Sequence, residues 1–260
     1  MEEGKAEEPS SSASIPKKRN AFSELMSPRQ PKPVRTLTKP HDPRNGLLKY
    51  ILEPEKYPSI VIRYTEHSVL IHDAYPKSIL HLLLLPRDST KYNLHPHAAF
   101  ADSTFLALVR SEAEAAVRLA ASELFRLVSP VSQTSQARIT AMNLSDQPAD
   151  LPPGRDFASE LRIGIHAHPS MNHLHIHIIS PDMSRETMRH RKHYNSFNTD
   201  FFIPLADFPL RDDDPRKQVA YQNDNLKKDF ECWRCGRMFG NKFKELKEHL
   251  NGELDEWKKE

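Results

Sequence analysis

The sequence predicts a sheet covered by helices, of α/β or α+β type, followed by a small ββα-like metal-binding unit and preceded by a disordered tail. Three observations carry that expectation. Short apolar runs such as "SVLIH" and "ILHLLLLP" read as strands. The stretch "HAAFADSTFLALVRSEAEAAVRLAASELFRLV" reads as one long helix, with apolar residues at three- and four-residue intervals. Both cysteines of the chain, Cys232 and Cys235, stand two residues apart, a spacing that suits a metal or a redox pair better than a structural disulfide.

Composition narrows the function classes. The 260 residues suffice for one substantial domain and something small, and 38% hydrophobic content is ordinary for a core with polar attachments. Lys and Arg number 37 against 35 Asp and Glu, so any attraction to nucleic acid has to come from local clustering of charge. No apolar run approaches the roughly 18 residues that span a bilayer. The first residues, "MEEGKAEEPSSSASIPKK", contain no apolar signal core. With the reduced cysteine pair, these features predict a protein of a reducing compartment with no membrane partner.

Taken in order, residues 1–41 are rich in Pro, Ser and charge, and bury too little apolar surface to offset their ordering entropy. They form the expected disordered tail. Within it "KKRNAFSELMSPRQPKPVRTLTK" is basic apart from Glu24. Nuclear import, phosphate attraction and a plain solvated tail all fit it, and Phe22, Leu25 and Met26 have the spacing of a short partner-binding helix. The expected catalytic domain covers 42–211. It starts with a short helix in "GLLKYILEPEKY" that stops at Pro54. Two strands in "IVIRYTEHSVLIHDAY" and a buried third in "SILHLLLLPR" follow, then the long helix. Further strands are expected in "RITAMNL", "LRIGIHAH" and "NHLHIHIIS", with a Pro-rich loop over 146–153. A linker and the metal-binding unit fill 212–260.

The last of those strands alternates His173, His175 and His177 with Leu174, Ile176 and Ile178. In an extended chain successive side chains face opposite ways, so the imidazoles line an exposed face while the aliphatic residues pack beneath a helix. Three imidazoles in a row hold no packing advantage over Thr or Val, which points to chemistry. Zinc is a rival reading, because alternating histidines can supply two ligands. Against it, the stretch contains no carboxylate, and Ser170 and His166 precede it.

In "CWRCGRMFGNKFKELKEHLNGE", Phe239 stands four residues after the second cysteine and Leu246 three before His249. Thirteen residues separate Cys235 from His249, one more than the usual spacing of about twelve in a ββα zinc finger. A helix there places His249 and Glu253 on one face, and no histidine follows. Cys232, Cys235, His249 and Glu253 are therefore the expected ligands of one structural zinc, and Asp255 suits the helical geometry less well. A redox reading of the pair leaves Phe239, Leu246 and His249 unexplained.

The run "HAHPSMNHLHIHIIS", the later "KHYNSFNTDFF" and the finger together resemble the aprataxin family of the histidine triad superfamily, over about residues 42–260. The resemblance implies the α+β histidine-triad fold, an antiparallel sheet with covering helices, and a DNA 5′-adenosine monophosphate hydrolase of single-strand break repair. His175 would attack the α-phosphorus of a 5′-adenylated DNA end, and water would resolve the histidine–AMP intermediate to release AMP. Ser170 and His177 would bind the nonbridging oxygens, His166 would assist near the leaving phosphate, and His173 would orient the catalytic imidazole. Asp73 would accept from the ribose hydroxyls, with Lys77, His81 and Met171 completing the nucleotide site. Lys192 matches a phosphate-contacting lysine, and Arg189, His193, Asn195 and Ser196 would extend the DNA surface around the basic "RETMRHRKH".

The family's finger packs on the triad domain and helps grip DNA, and a nuclear location is implied, with the cytoplasm also open. Three features depart from the family. Glu253 replaces the commonest histidine ligand. About forty residues of tail cannot form the forkhead-associated domain of vertebrate members. Pro43 and Arg44 stand where an aromatic wedge is frequent, which leaves Leu47 and Tyr50 as candidates to stack on the DNA end. Two other functions stay open. A small-molecule histidine-triad hydrolase needs neither finger nor basic groove, and a non-catalytic nucleic-acid-binding finger protein leaves the intact Ser170 and triad unexplained.

Overall fold

A computed structural model describes residues 42–260; the expected disordered tail, with its Phe22, Leu25 and Met26 segment, lies outside the described residues. Among the described residues, six strands form one antiparallel sheet. They are β1 (Val61–Tyr64), β2 (Ser68–His72), β3 (His81–Pro86), β4 (Arg162–His166), β5 (Ile176–Ile179) and β6 (Phe202–Pro204), ordered β1-β2-β3-β5-β4-β6. The α+β expectation holds. Leu83 of β3 and Gly164 of β4 both stand opposite His177 of β5, and this register fixes which side chains share a face.

Helices form on both sides of that sheet. In chain order they begin with α1 (Leu48–Leu52), α2 (Pro96–Ala99) and α3 (Ser103–Val128). Leu82, Leu84, Ile165, Ile176 and Ile178 point from one face into α3, where Ala113, Ala116 and Ala120 let the helix lie close. The long helix is shorter than its sequence suggests. Asp102 leaves helical geometry, and its carboxylate accepts from the amides of Thr104 and Phe105, so α3 has its own N-cap and α2 is a separate turn opened by Pro96.

Two strand expectations need correction. "RITAMNL" belongs to α4 (Gln133–Met142), started by the Ser132 hydroxyl accepting from the Ser135 amide; a short apolar run is ambiguous between helix and strand, and here the cap decides. The extended segment around the histidines is regular only over β5, so His173 and His175 lie on irregular backbone just before it.

On the opposite face, Val69, Ile71, Leu83 and Leu85 pack against Leu47, the N-cap of α1, and Ile51 within it. The remainder of that face carries the histidines. The chain adds α5 (Phe157–Glu160), α6 (Arg191–Asn198), α7 (Val219–Asn225) and finally the ββα unit, β7 (Phe230–Glu231), β8 (Met238–Gly240) and α8 (Phe243–Lys259). Phe230, Phe239, Leu246 and Leu250 of that unit share one apolar cluster with Ile179, Tyr194, Phe197 and Phe202. A unit this small lacks the apolar surface for an independent core, and sharing one supplies it. The Tyr194 hydroxyl donates to the Glu231 carbonyl at 2.8 Å and accepts from the Trp233 amide at 3.0 Å. At the far end of α8, Trp257 enters the main core and its Nε1 donates to Glu160 at 2.7 Å. No helix among the described residues is long and apolar enough to cross a membrane.

Gly164 holds the spacing of β4 against β6. A Cβ there would lie 2.5 Å from the Ile203 carbonyl oxygen and 2.7 Å from the Phe202 ring. Gly164→Ala should therefore destabilise the fold by about 3 kcal/mol, as expected for overpacking against backbone. The measurement is the midpoint of chemical denaturation, and an unchanged midpoint would show that β6 moves away freely.

Candidate active site

Strand register places His81 at the start of β3, His166 at the end of β4 and His177 in β5 on the face opposite α3. Their rings meet. His166 and His177 have centroids 4.5 Å apart, His81 and His177 5.2 Å, and His175 and His177 5.0 Å. His173 turns its ring to Tyr92 at 5.6 Å, while its carbonyl accepts from His175 Nδ1 at 2.7 Å. It thus touches His175 through its backbone. The Leu174 amide bonded to the Tyr92 carbonyl at 2.7 Å pins that irregular segment.

The face is not exposed, as its polar residues suggested. His173, His175 and His177 keep only 3%, 4% and 5% of their surface accessible. Burial disfavours the charged imidazole. It holds His175 below the ordinary 6.5, partly opposed by the His173 carbonyl and Asp73. Burial and the neighbouring rings drive His166 and His177 well below that value. His81 is pushed down to about 4 by burial, against the pull of Asp73. At neutral pH the cluster is uncharged, the state a nitrogen nucleophile needs.

The hydrogen bonds assign the tautomers. The Lys77 amide donates to His81 Nδ1 at 3.1 Å, so the His81 proton is on Nε2. That nitrogen lies 2.9 Å from His177 Nδ1 and 3.4 Å from Asp73 Oδ2. His177 accepts at Nδ1 and carries its own proton on Nε2, which is buried with no protein partner, as is His166 Nε2. His175 spends its Nδ1 proton on the His173 carbonyl and keeps a lone pair on Nε2. Ligand atoms of Asp73, His81 and His177 all lie within 4.8 Å of one another, yet a proton stands on the His81 nitrogen that a metal would need. Of the three alternating histidines only His177 belongs to that set, so the row does not supply it with the two ligands the zinc reading needs.

Around this row, Asp73 Oδ1 accepts from the Tyr75 amide at 2.7 Å, and the buried Lys77 turns its ammonium to the Tyr75 carbonyl. Ser170 is exposed on the loop between β4 and β5, and Met171 packs against the Leu47 and Ile51 cluster. Asn172 ties that loop to residues 42–46, its amide donating to the Arg44 carbonyl at 3.0 Å and its side chain to Asn45 at 2.8 Å. Pro43 and Arg44 are exposed beside it. Leu47 is buried in the core and cannot stack on an incoming base, whereas Tyr50 is half-buried, edge-on to Tyr57 at 5.0 Å.

On α6, Lys192 is exposed, as Arg189 is just before it, and His193 is half-buried with its Nδ1 accepting from the Arg189 amide. Asn195 and Ser196, expected on the DNA surface, turn inward instead. Both are buried: the Asn195 amide donates to the Lys228 carbonyl at 2.8 Å, and the Ser196 hydroxyl to the His193 carbonyl at 3.3 Å. Sequence reasoning missed Phe197. Its ring stands edge-on to His81, His166 and His177 with centroids at 5.4, 4.6 and 5.2 Å, so an apolar wall closes the cluster. No periodicity marks it.

The finger brings together Cys232, Cys235, His249 and Glu253, with one ligand atom of each inside 4.8 Å. His249 Nε2 lies 3.2 Å from Cys235 Sγ and 3.0 Å from Glu253 Oε1. Tetrahedral zinc ligands stand about 3.3–3.8 Å apart, so the set needs little adjustment, and two thiolates, an imidazole and a carboxylate suit zinc. Gly236, at φ +71°, supplies the left-handed turn after Cys235.

Comparison with known proteins agrees with both parts. A family described as the C2HE / C2H2 / C2HC zinc-binding finger matches residues 198–256, and one described as scavenger mRNA decapping enzyme C-term binding matches 47–193. The aprataxin-like protein of Schizosaccharomyces pombe is 32% identical over 251 residues, covering 94% of this chain and 97% of that protein. That of Saccharomyces cerevisiae is 34% identical over 218 residues, covering 82% and 96%. The solved structure of the aprataxin ortholog Hnt3 in complex with DNA aligns with a TM-score of 0.64 at 30% identity, over 83% of this chain and 96% of its own. Identity at this level along almost the whole length of two fungal proteins establishes that the chain belongs to the aprataxin family of histidine-triad hydrolases.

Proposed function

We propose that the chain is a DNA-repair hydrolase that removes AMP from 5′-adenylated DNA ends, the product of abortive ligation. The observation that carries this reading is the buried, uncharged His175, with its Nδ1 proton held by the His173 carbonyl and its Nε2 lone pair free. Nε2 attacks the α-phosphorus, a P–N bond forms, and the P–O bond to the DNA 5′-phosphate breaks. The positive charge that develops on the ring is stabilised through Nδ1–H by the His173 carbonyl. His177 Nε2–H donates to a nonbridging oxygen, joined by the Ser170 hydroxyl, while His166 Nε2 meets the departing phosphate. Water then cleaves the P–N bond, returning neutral His175 and AMP. Asp73, beside Lys77 and His81, accepts from the ribose, and Met171 completes the nucleotide site from the loop after β4.

DNA binding is supported by the solved Hnt3–DNA complex and by the exposed Arg189 and Lys192, with His193, on and beside α6. One structural zinc on Cys232, Cys235, His249 and Glu253 supplies folding energy to the finger. The basic tail directs the protein to the nucleus.

Incubation with a 5′-adenylated nicked duplex should release AMP and restore the 5′-phosphate, faster than any dinucleoside polyphosphate is split. Absence of AMP release overturns the activity. His175→Ala should lower turnover by about 10⁴-fold or more while DNA affinity changes little; an active variant removes His175 as nucleophile.

The pH profile follows from the depressed imidazoles. Each must be neutral, and each has its free-enzyme value below 6.5, so kcat/KM should fall toward acid pH with a midpoint below 6.5, and a midpoint at or above 6.5 would contradict the burial argument. Phe197→Ala admits water to His166 and His177, eases their desolvation, and should raise the pH at which the NMR signals of those two rings titrate. Unchanged titration of both rings would show that Phe197 does not keep the cluster dry.

A further inference from the structure

Arg234 stands between the two cysteines of the finger and reaches across to α8. Its Nη1 lies 2.9 Å from Glu253 Oε2, while Glu253 Oε1 lies 3.0 Å from His249 Nε2. One carboxylate oxygen therefore faces the ligand cluster and the other is held by a guanidinium. The Glu253 side chain is 11% exposed and that of Arg234 33%, so the pair is only partly screened by water.

The charge balance gives this contact a purpose. Two thiolates and a carboxylate around a divalent zinc, with a neutral imidazole, leave one excess negative charge. With histidine in place of the carboxylate the excess is zero. A guanidinium hydrogen-bonded to the fourth ligand cancels the excess in the first case and adds an uncompensated positive charge in the second. Outer partners of metal-bound carboxylates also fix which oxygen meets the metal.

We propose that Arg234 is the positioning residue that makes glutamate the fourth zinc ligand here. It aims Glu253 Oε1 at the metal and neutralises the surplus charge of the donor set. Residues 234 and 253 thus act as one unit. The inference rests on the zinc assignment above and adds the outer group that assignment does not contain.

The test is a double-mutant cycle on the full chain: wild type, R234A, E253H and R234A/E253H. Zinc affinity is read by competition with a chromogenic chelator, and site geometry by the visible absorbance of the cobalt-loaded protein. Arg234→Ala should weaken zinc binding about 10- to 100-fold when residue 253 is glutamate. In the E253H background the same change should cause no loss or a gain. R234K, which keeps the charge and loses the fork, should fall between wild type and R234A. Equal losses in both backgrounds, or no loss in the glutamate background, overturn the proposal. If R234A does not fold, R234A/E253H should recover folding and zinc, and its failure to do so also overturns the proposal. A wild-type chain that binds no zinc overturns the metal assignment itself.

Discussion

The hydrogen bond from the Lys77 amide to His81 Nδ1 orders the protons of the His81–His177 pair in the histidine row. A backbone amide cannot change its role, so His81 has to donate from Nε2, and His177 has to accept at Nδ1 and present Nε2–H. Without that fixed end the pair would scramble between tautomers, since each neutral ring has two. Burial alone would not choose; it only removes the charged state. Two separate constraints therefore set the site. A dry environment selects neutral rings, and two backbone groups select the protonated nitrogens, the Lys77 amide for His81 and His177 and the His173 carbonyl for His175.

The dryness has its own supports, and they lead to the finger. Phe197 lies over three of the rings, and it is carried by α6. Few of the bonds that seat α6 come from the sheet. Tyr194 bonds around Cys232 through Glu231 and Trp233, Asn195 donates to Leu226 and Lys228, and Arg191 donates to the carbonyls of Lys227 and Lys228. The same helix carries the exposed Lys192 on its outer side. Finger, apolar wall and basic surface thus form one mechanical piece, and order in the metal-binding unit reaches the imidazoles through a single helix.

How much of this was legible depended on whether a residue's role lies in its own spacing. The alternation of His173, His175 and His177 and the four-residue step from His249 to Glu253 are local periodicities, and the structure brings together the rings of His175 and His177, with the His173 backbone, and the His249–Glu253 pair. Roles set by a distant partner were not visible. "RITAMNL" is apolar enough for a strand, and only the hydroxyl of Ser132 makes it a helix. Asn195 and Ser196 sit among basic residues and read as DNA contacts, but the helix buries them, Asn195 against the carbonyls of Leu226 and Lys228 and Ser196 on the His193 carbonyl of its own helix. Leu47 shares a helical turn with exposed neighbours and still belongs to the core. Phe197 has no pattern of its own; its function exists only because three strands deliver rings to its edge.

A neutral cluster suits the proposed reaction better than a charged one. The leaving group in deadenylation is a phosphate monoester, whose conjugate acid is strong enough to depart with little protonation, so no strongly acidic donor is needed. What the step demands is an unprotonated nucleophile next to oxygens that are already anionic. A cationic row would attract the diphosphate but would hold a proton on the attacking nitrogen. The structure separates the two needs: His175 is kept neutral by burial, and the cationic charge stands outside the row, on Lys77 and on Lys192. Attraction then comes from groups that take no part in bond making, and the attacking nitrogen keeps its lone pair while the substrate binds.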